Sequence, residues 1–229
     1  MRTLDILLFV VFPYLAVALA VLVGLYRYFF DRFSFSSFSS QFLENRALFF
    51  GSAPWHYALL IILAAHLAGM FTGIWSRFVA PPSRLYPLEA LGAALGLSTV
   101  VTLAVLTLRR LVNPRIRKVT TLPDWLLVIV LMAQLSVGVY IALFYRWGSL
   151  WYMYTAVPWM ISLLKLQPQI QFVTSLPWII KLHYLGGFLL VAIFPFTRLV
   201  HVVVFPITYL WRPYQVVVWN IRRRIAPAR

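Results

Sequence analysis

The chain has 229 residues, of which 62% are hydrophobic, 17% aromatic and only 11% charged; no single water-soluble core of this size can hide so much apolar surface, so the bilayer is the expected solvent. A net charge of +15 invites a nucleic-acid reading, but the Arg and Lys residues gather at the ends of apolar runs rather than along one soluble face, so membrane topology accounts for most of them. The absence of cysteine excludes disulfides, cysteine-ligated clusters and haem attached through C-x-x-C-H, so any redox group is held noncovalently or by histidine.

Crossing a bilayer takes about twenty apolar residues per helix. The first run, about residues 6–26, lies between Asp5 and Arg27. Its AVALA at 16–20 has the small-residue spacing of a signal-peptidase site, but Asp5 offsets Arg2 and the apolar run continues past that point, so it reads as a membrane anchor. The second run, 52–74 between Arg46 and Arg77, contains His56 and His66. The third, 89–108, carries Gly92 and Gly96 in a G-x-x-x-G spacing that favours helix packing. It leads into the basic stretch RRLVNPRIRK, and the fourth run follows at 125–145.

An aromatic run, WGSLWYMYTAVPWMISLL at 147–164, is long enough to raise the question of a sixth span. Basic residues mark cytoplasmic loops. Five spans with the N-terminus outside put fourteen Arg and Lys residues on one side and six on the other, whereas a sixth span would separate the basic tail from the NPRIRK loop. The aromatic run is therefore expected at the outer interface, with a re-entrant hairpin as the alternative. The fifth span is placed at 177–205, although Lys181 and Arg198 leave only sixteen uncharged residues between them, because long side chains near helix ends snorkel to the headgroups. Residues 206–229 form a basic cytoplasmic tail, suited to anionic lipid or to the acidic face of a soluble partner. The expected fold is all-α and integral to the membrane: one domain over 1–229, five spans in a helical bundle, the C-terminus cytoplasmic.

All four histidines, His56, His66, His183 and His201, fall in the second and fifth spans. A lone histidine in a membrane helix commonly satisfies a neighbouring carbonyl, but four confined to two helices point to ligation. In continuous helices at 1.5 Å per residue, His56 and His66 stand ~15 Å apart and His183 and His201 ~27 Å apart, which excludes one four-histidine site. The two spans run antiparallel, so His56 pairs with His201 and His66 with His183. Two facing imidazoles without carboxylate or cysteine support suit the axial positions of a b-type haem better than zinc, which wants four ligands. Two haems follow, and a bend at Pro195 is expected to absorb part of the unequal spacing. Gly69, Gly186 and Gly187 lie near the ligands, where they either admit a macrocycle or let helices pack.

The chain resembles the gamma subunit of respiratory nitrate reductase, a membrane cytochrome b. The resemblance rests on RY at 27–28, SSQ at 39–41, His56, HLAGM at 66–70, NPRIRKVTT at 113–121, Asp124, KLHYLGG at 181–187 and FPFTRLVH at 194–201. It implies that His56 and His201 ligate the haem nearer the cytoplasm, and His66 and His183 the outer one. It further implies quinol oxidation near the outer haem, and electron transfer to an iron–sulfur beta subunit beneath a molybdenum-containing alpha subunit that reduces nitrate. The expected location is the cytoplasmic (inner) membrane. Where a lysine is expected after the second helix, this sequence has Arg84 and Tyr86, the candidate quinol-binding residues, and Ala65 replaces a glycine before His66. Arg198, three residues before His201, is a candidate partner for a haem propionate, with snorkelling as the alternative.

Three other readings define what has to be discriminated. A proton-coupled transporter is poorly supported, because all five acidic residues sit at span ends. A cytochrome b anchor of another quinone-linked reductase, of sulfite or heterodisulfide type, would share the haems, and a purely structural anchor would share only the spans.

Overall fold

The computed structural model describes residues 2–31, 46–79, 81–145 and 151–204. The tail at 206–229, the SSQ motif and the first residues of the aromatic run lie outside them. Among the described residues the structure is helical without strands, and five helices are long and apolar enough to cross a membrane.

The first span, Thr3–Phe30, is built from α1 (Arg2–Ile6), a π turn over Leu7–Val11 and α2 (Phe12–Phe30). The wide turn has a local cause: Pro13 has no N–H to give the Phe9 carbonyl four residues back, and a π turn re-registers the ladder around such a gap. The second span lies in α3 (Arg46–Gly69), shorter at its end than the sequence predicts, because the chain turns at Met70–Phe71 into the separate α4 (Thr72–Val79). The third is α5 (Pro82–Val112), ~46 Å at 1.5 Å per residue and so longer than the ~30 Å hydrocarbon core. Its ends, with Arg84 at one and Arg109 and Arg110 at the other, extend beyond the apolar layer.

The NPRIRK stretch forms α6 (Pro114–Lys118), whose N-cap is the Asn113 side chain, accepting from the N–H groups of Arg115 at 3.0 Å and Ile116 at 3.4 Å. The fourth span, α7 (Leu122–Phe144), begins at a capping box in which the Asp124 carboxylate reaches back to the N–H of Thr121 at 2.9 Å.

The aromatic run forms two short helices, α8 (Trp151–Tyr154) and α9 (Ala156–Leu164), followed by α10 (Gln171–Thr174). Within it Trp151 is half-buried and Tyr154 exposed, whereas Trp159 is fully buried. The ring stacks on Tyr184 at 5.1 Å and meets Phe9 and Phe188 edge-on, and its indole N–H donates to the Phe9 carbonyl at 3.2 Å. That is the carbonyl that Pro13 leaves without an α-helical donor. The Tyr14 hydroxyl donates to the Leu163 carbonyl at 2.9 Å, so α9 is fastened to the first span by two bonds and by a shared apolar cluster with Val173.

The fifth span, Trp178–Phe196, takes in a 3-10 turn after its helix α11 (Trp178–Ile193), which ends at Ile193. The single helix expected to continue to 205 stops there: Phe194–Phe196 and Arg198–Val202 are 3-10 turns, and Thr197 between them is extended (φ −122°, ψ 176°). Pro195 supplies no N–H for continuing the ladder, and its carbonyl accepts a hydrogen bond from the Arg27 guanidinium at the far end of α2.

α3 packs on α5, α5 on α7, α7 on α11 and α11 on α2; α3 and α11 are not a closely packed pair among the described residues. The spans thus form an arc from α3 to α2, within which α3 and α11 face each other across an interior gap. Trp55, Leu103, Leu127 and Leu131 fill one part of the interior, with Ile193 and Leu199 against them. No more than 28% of any span's most apolar window is buried, which leaves most of the apolar surface to lipid.

Candidate functional site

The gap between α3 and α11 is bridged by histidine rings. His56 and His201 have ring centroids 6.1 Å apart, with planes at 72°; His66 and His183 have centroids 6.4 Å apart, with planes at 37°. These are the pairings expected from antiparallel spans. The mismatch between ~15 Å and ~27 Å depended on a continuous fifth helix, and the break at Pro195–Thr197 removes that premise: His201 sits on a separate 3-10 turn.

Three rings are oriented by a carbonyl on their own segment. His56 Nδ1 lies 2.7 Å from the Ser52 carbonyl, His66 Nδ1 2.7 Å from that of Ile62, and His201 Nδ1 2.6 Å from that of Arg198. A carbonyl only accepts, so Nδ1 carries the proton, and Nε2, with its lone pair, is left on the opposite edge of the ring. Metal-ligating histidines are oriented in this way by their outer hydrogen bonds. The fourth, His183, is held by packing: its buried Nδ1 has no hydrogen-bond partner, and a Cβ on Gly138 of α7 would lie 3.1 Å from its Cε1.

These residues fit a bis-imidazole group. A metal–nitrogen bond of about 2 Å on each side, plus about 1 Å from each nitrogen to its ring centre, places the centroids about 6 Å apart. Both pairs meet that separation, and planes that each contain the bond axis can take any twist about it. Among the described residues no cluster of three or more His, Cys, Asp or Glu side chains occurs, so the donor set is two pairs and not a tetrahedral zinc site.

Side chains of neighbouring helices lie close to the glycines beside these histidines: a Cβ on Gly186 would come within 2.1 Å of the Gln134 Oε1, and one on Gly69 within 2.9 Å of the Tyr152 ring. Gly187 has Gln134 as its neighbour at ordinary contact distance. Gln134 donates to the His183 carbonyl at 3.0 Å, which ties α7 to the turn of α11 that bears His183. Its signal was in the sequence, as the one amide in the fourth apolar run, where a buried polar side chain needs a partner on another helix.

Arg84 and Tyr86 are exposed at the start of α5, Arg84 lying over the Phe78 ring at 5.6 Å. Tyr152 of α8 lies against the His66/His183 pair: its ring meets His66 edge-on at 6.5 Å and its hydroxyl donates to the His66 carbonyl at 3.4 Å. Burial raises the Tyr152 phenol above its ordinary value, which keeps it protonated and a donor. Nothing in an all-aromatic run distinguishes that tyrosine beforehand. Arg198, a candidate partner for a propionate with snorkelling as the alternative, pairs with Asp124: Nε donates to Oδ1 at 2.6 Å and Nη2 to Oδ2 at 2.9 Å.

The sequence matches the family described as nitrate reductase gamma subunit over residues 5–220. It is 32% identical to the nitrate reductase gamma chain of Bacillus subtilis (strain 168) over 212 residues, which cover 90% of this chain and 94% of that one. It is 30% identical to the respiratory nitrate reductase 1 gamma chain of Escherichia coli (strain K12) over 223 residues, 95% of this chain and 98% of that one. The respiratory nitrate reductase 2 gamma chain of the same organism is 30% identical over 220 residues. A helical chain with five membrane-length spans and near full-length similarity to these proteins belongs to the nitrate reductase gamma subunit family.

Proposed function

We propose that this chain is the dihaem b-type cytochrome subunit of a respiratory nitrate reductase, oxidising quinol near the outer membrane face and passing electrons to the cytoplasmic side. The observation that carries the reading is the pair of facing imidazoles at each of two levels, His56 with His201 and His66 with His183. Family membership favours nitrate reductase over the sulfite- and heterodisulfide-type rivals.

Haem bound between each pair would supply one-electron transfer at two points along the bundle. His56 and His201 hold the site nearer the basic loop Asn113–Lys118, and His66 and His183 hold the other. The carbonyls of Ser52, Ile62 and Arg198 keep three of the ligands in the Nδ1–H tautomer. Lipid and the apolar interior around Trp55, Leu103 and Leu131 exclude water between the two levels. At the outer end Arg84 and Tyr86 are assigned to quinol binding, and Tyr152 closes over the His66 turn. Quinol oxidation releases two protons and two electrons; the protons leave on the outer side and the electrons pass inward. The cytoplasmic partner is an iron–sulfur beta subunit with a molybdenum-containing alpha subunit beyond it, and the complex sits in the cytoplasmic (inner) membrane. Nitrate reduction belongs to those partners.

The complex, solubilised in mild detergent, is expected to show two low-spin b haems per gamma chain by optical spectroscopy and pyridine haemochrome assay. A preparation with no haem in this chain overturns the reading.

A further inference from the structure

Asp124 stands at the third position of α7, and only 3% of its surface is exposed. Its carboxylate accepts three donors: the N–H of Thr121 and, in a bidentate pair, Nε and Nη2 of Arg198 on the turn after α11. Arg198 Nη2 also donates to the Val119 carbonyl at 3.3 Å. The Arg198 carbonyl in turn accepts from His201 Nδ1 at 2.6 Å. An uninterrupted path of short bonds therefore runs from the cap of α7 to a ring that faces His56.

The turn that bears His201 needs such an anchor. It is a five-residue 3-10 segment set apart from α11 by an extended residue, and 3-10 geometry is poor in hydrogen-bond strength. Its entry bonds are long: Thr197 N to the Phe194 carbonyl at 3.3 Å, Val200 N to the Thr197 carbonyl at 3.5 Å, and Leu199 N to the Thr197 hydroxyl at 3.4 Å. The Asp124–Arg198 pair is shorter than these entry bonds and, unlike them, charge-assisted, and its planar fork fixes orientation as well as distance.

We infer that Asp124 is a positioning residue for His201: by clamping Arg198 it fixes the carbonyl that holds His201 with Nδ1 protonated and Nε2 turned toward His56. Resting on the dihaem reading above, this gives the Arg198 charge on the turn after α11 an internal partner and a consequence for one haem of the two. A hydrogen bond to Nδ1–H raises the basicity of the ligand, which favours the oxidised metal. Loosening the clamp therefore raises the midpoint potential of the His56/His201 haem.

The test is an optical redox titration of the detergent-solubilised complex, with the His56→Ala variant identifying which transition belongs to that haem. Asp124→Asn can still accept from the Thr121 N–H, so the helix cap is kept while the charge-assisted fork is lost. Positioning predicts that Asp124→Asn and Arg198→Gln both raise the potential of that haem, that the double variant shifts no further than the larger single one, and that the His66/His183 haem stays where it is. A plain charge effect predicts opposite signs, because one variant removes a negative and the other a positive group. Opposite or additive shifts, equal movement of both haems, or no movement overturn the inference. Arg198→Lys keeps the charge without the fork and is expected to behave as Arg198→Gln; a wild-type potential in that variant also overturns it. It carries the test if Asp124→Asn does not assemble. A wild-type chain lacking haem would defeat the parent reading instead.

Discussion

A histidine whose Nδ1 is tied to a carbonyl of its own segment presents Nε2 in one direction, and three of the four imidazoles here are set in that way. Loss of any one ligand should therefore affect a single level of the bundle. His56→Ala or His201→Ala is expected to remove one haem while the other persists, and His66→Ala or His183→Ala to do the reverse, read from the two resolved redox transitions; His66 and His201 behaving as a pair would refute the arrangement. The fourth imidazole, His183, is held by fit, so its neighbours matter more. Gly138→Val puts side-chain carbon where the His183 ring lies, 3.1 Å from the position of a Cβ, and is expected to remove or distort the His66/His183 haem alone. The corresponding spectrum of a variant with both haems intact would show that the ring has room to move. These residues differ in how visible they were beforehand: the histidines and Gln134 stand out as polar groups in apolar runs, whereas Gly138 and Tyr152 acquire meaning only from what lies opposite them.

At the scale of elements, two prolines shape the molecule by what they fail to donate. Pro13 leaves the Phe9 carbonyl without an α-helical donor, a π turn forms, and the Trp159 indole takes the carbonyl from α9. Trp159→Ala removes that bond and a fully buried ring, and is expected to cost about 3–5 kcal/mol, measured as a lower midpoint of thermal unfolding of the complex in detergent. An unchanged midpoint would mean that α9 is not fastened to the first span. Pro195 ends α11 and permits the extended residue Thr197, which frees the His201 turn from the register of the helix. Pro195→Ala restores an N–H and favours continued helix, so the His56/His201 haem is expected to be lost or weakened while the other remains, as read by haem content and redox titration. The proline itself was legible in the sequence. That the chain would leave the helix there, rather than kink and continue to 205, was not, because a proline in a membrane helix is compatible with either outcome.

For the whole molecule, five spans place the basic loop Asn113–Lys118 and the cap α8–α10 at opposite ends of the bundle. The proposed topology, with the loop cytoplasmic and the cap outside, follows the positive-inside bias. Because the chain has no cysteine of its own, single introduced thiols report sidedness directly. Arg117→Cys is expected to react with an impermeant maleimide only in inside-out vesicles, and Gln167→Cys only in right-side-out ones; the reverse pattern would invert the topology and move quinol oxidation to the other face. With the cap outside, His66→Ala is expected to abolish quinol-driven nitrate reduction by the complex. Activity from an artificial donor to the soluble subunits should be retained, and a retained quinol rate would place the quinol site elsewhere.

Composition alone determined that the chain lives in lipid, because 62% hydrophobic residues in charge-free runs of membrane length have no other low-energy solvent. The confinement of four histidines to two antiparallel spans determined the pairing of His56 with His201 and His66 with His183, since direction along the membrane axis follows from counting spans. Tertiary structure alone decided how those pairs meet at similar separations. That required a helix broken at Pro195–Thr197 together with an Asp124–Arg198 clamp, a glycine opposite His183 and an aromatic cap, and the last three are contacts between segments far apart in the chain. Periodicity and charge report which face a residue takes along its own helix; which neighbour fills the space opposite is set by the packing of several helices at once.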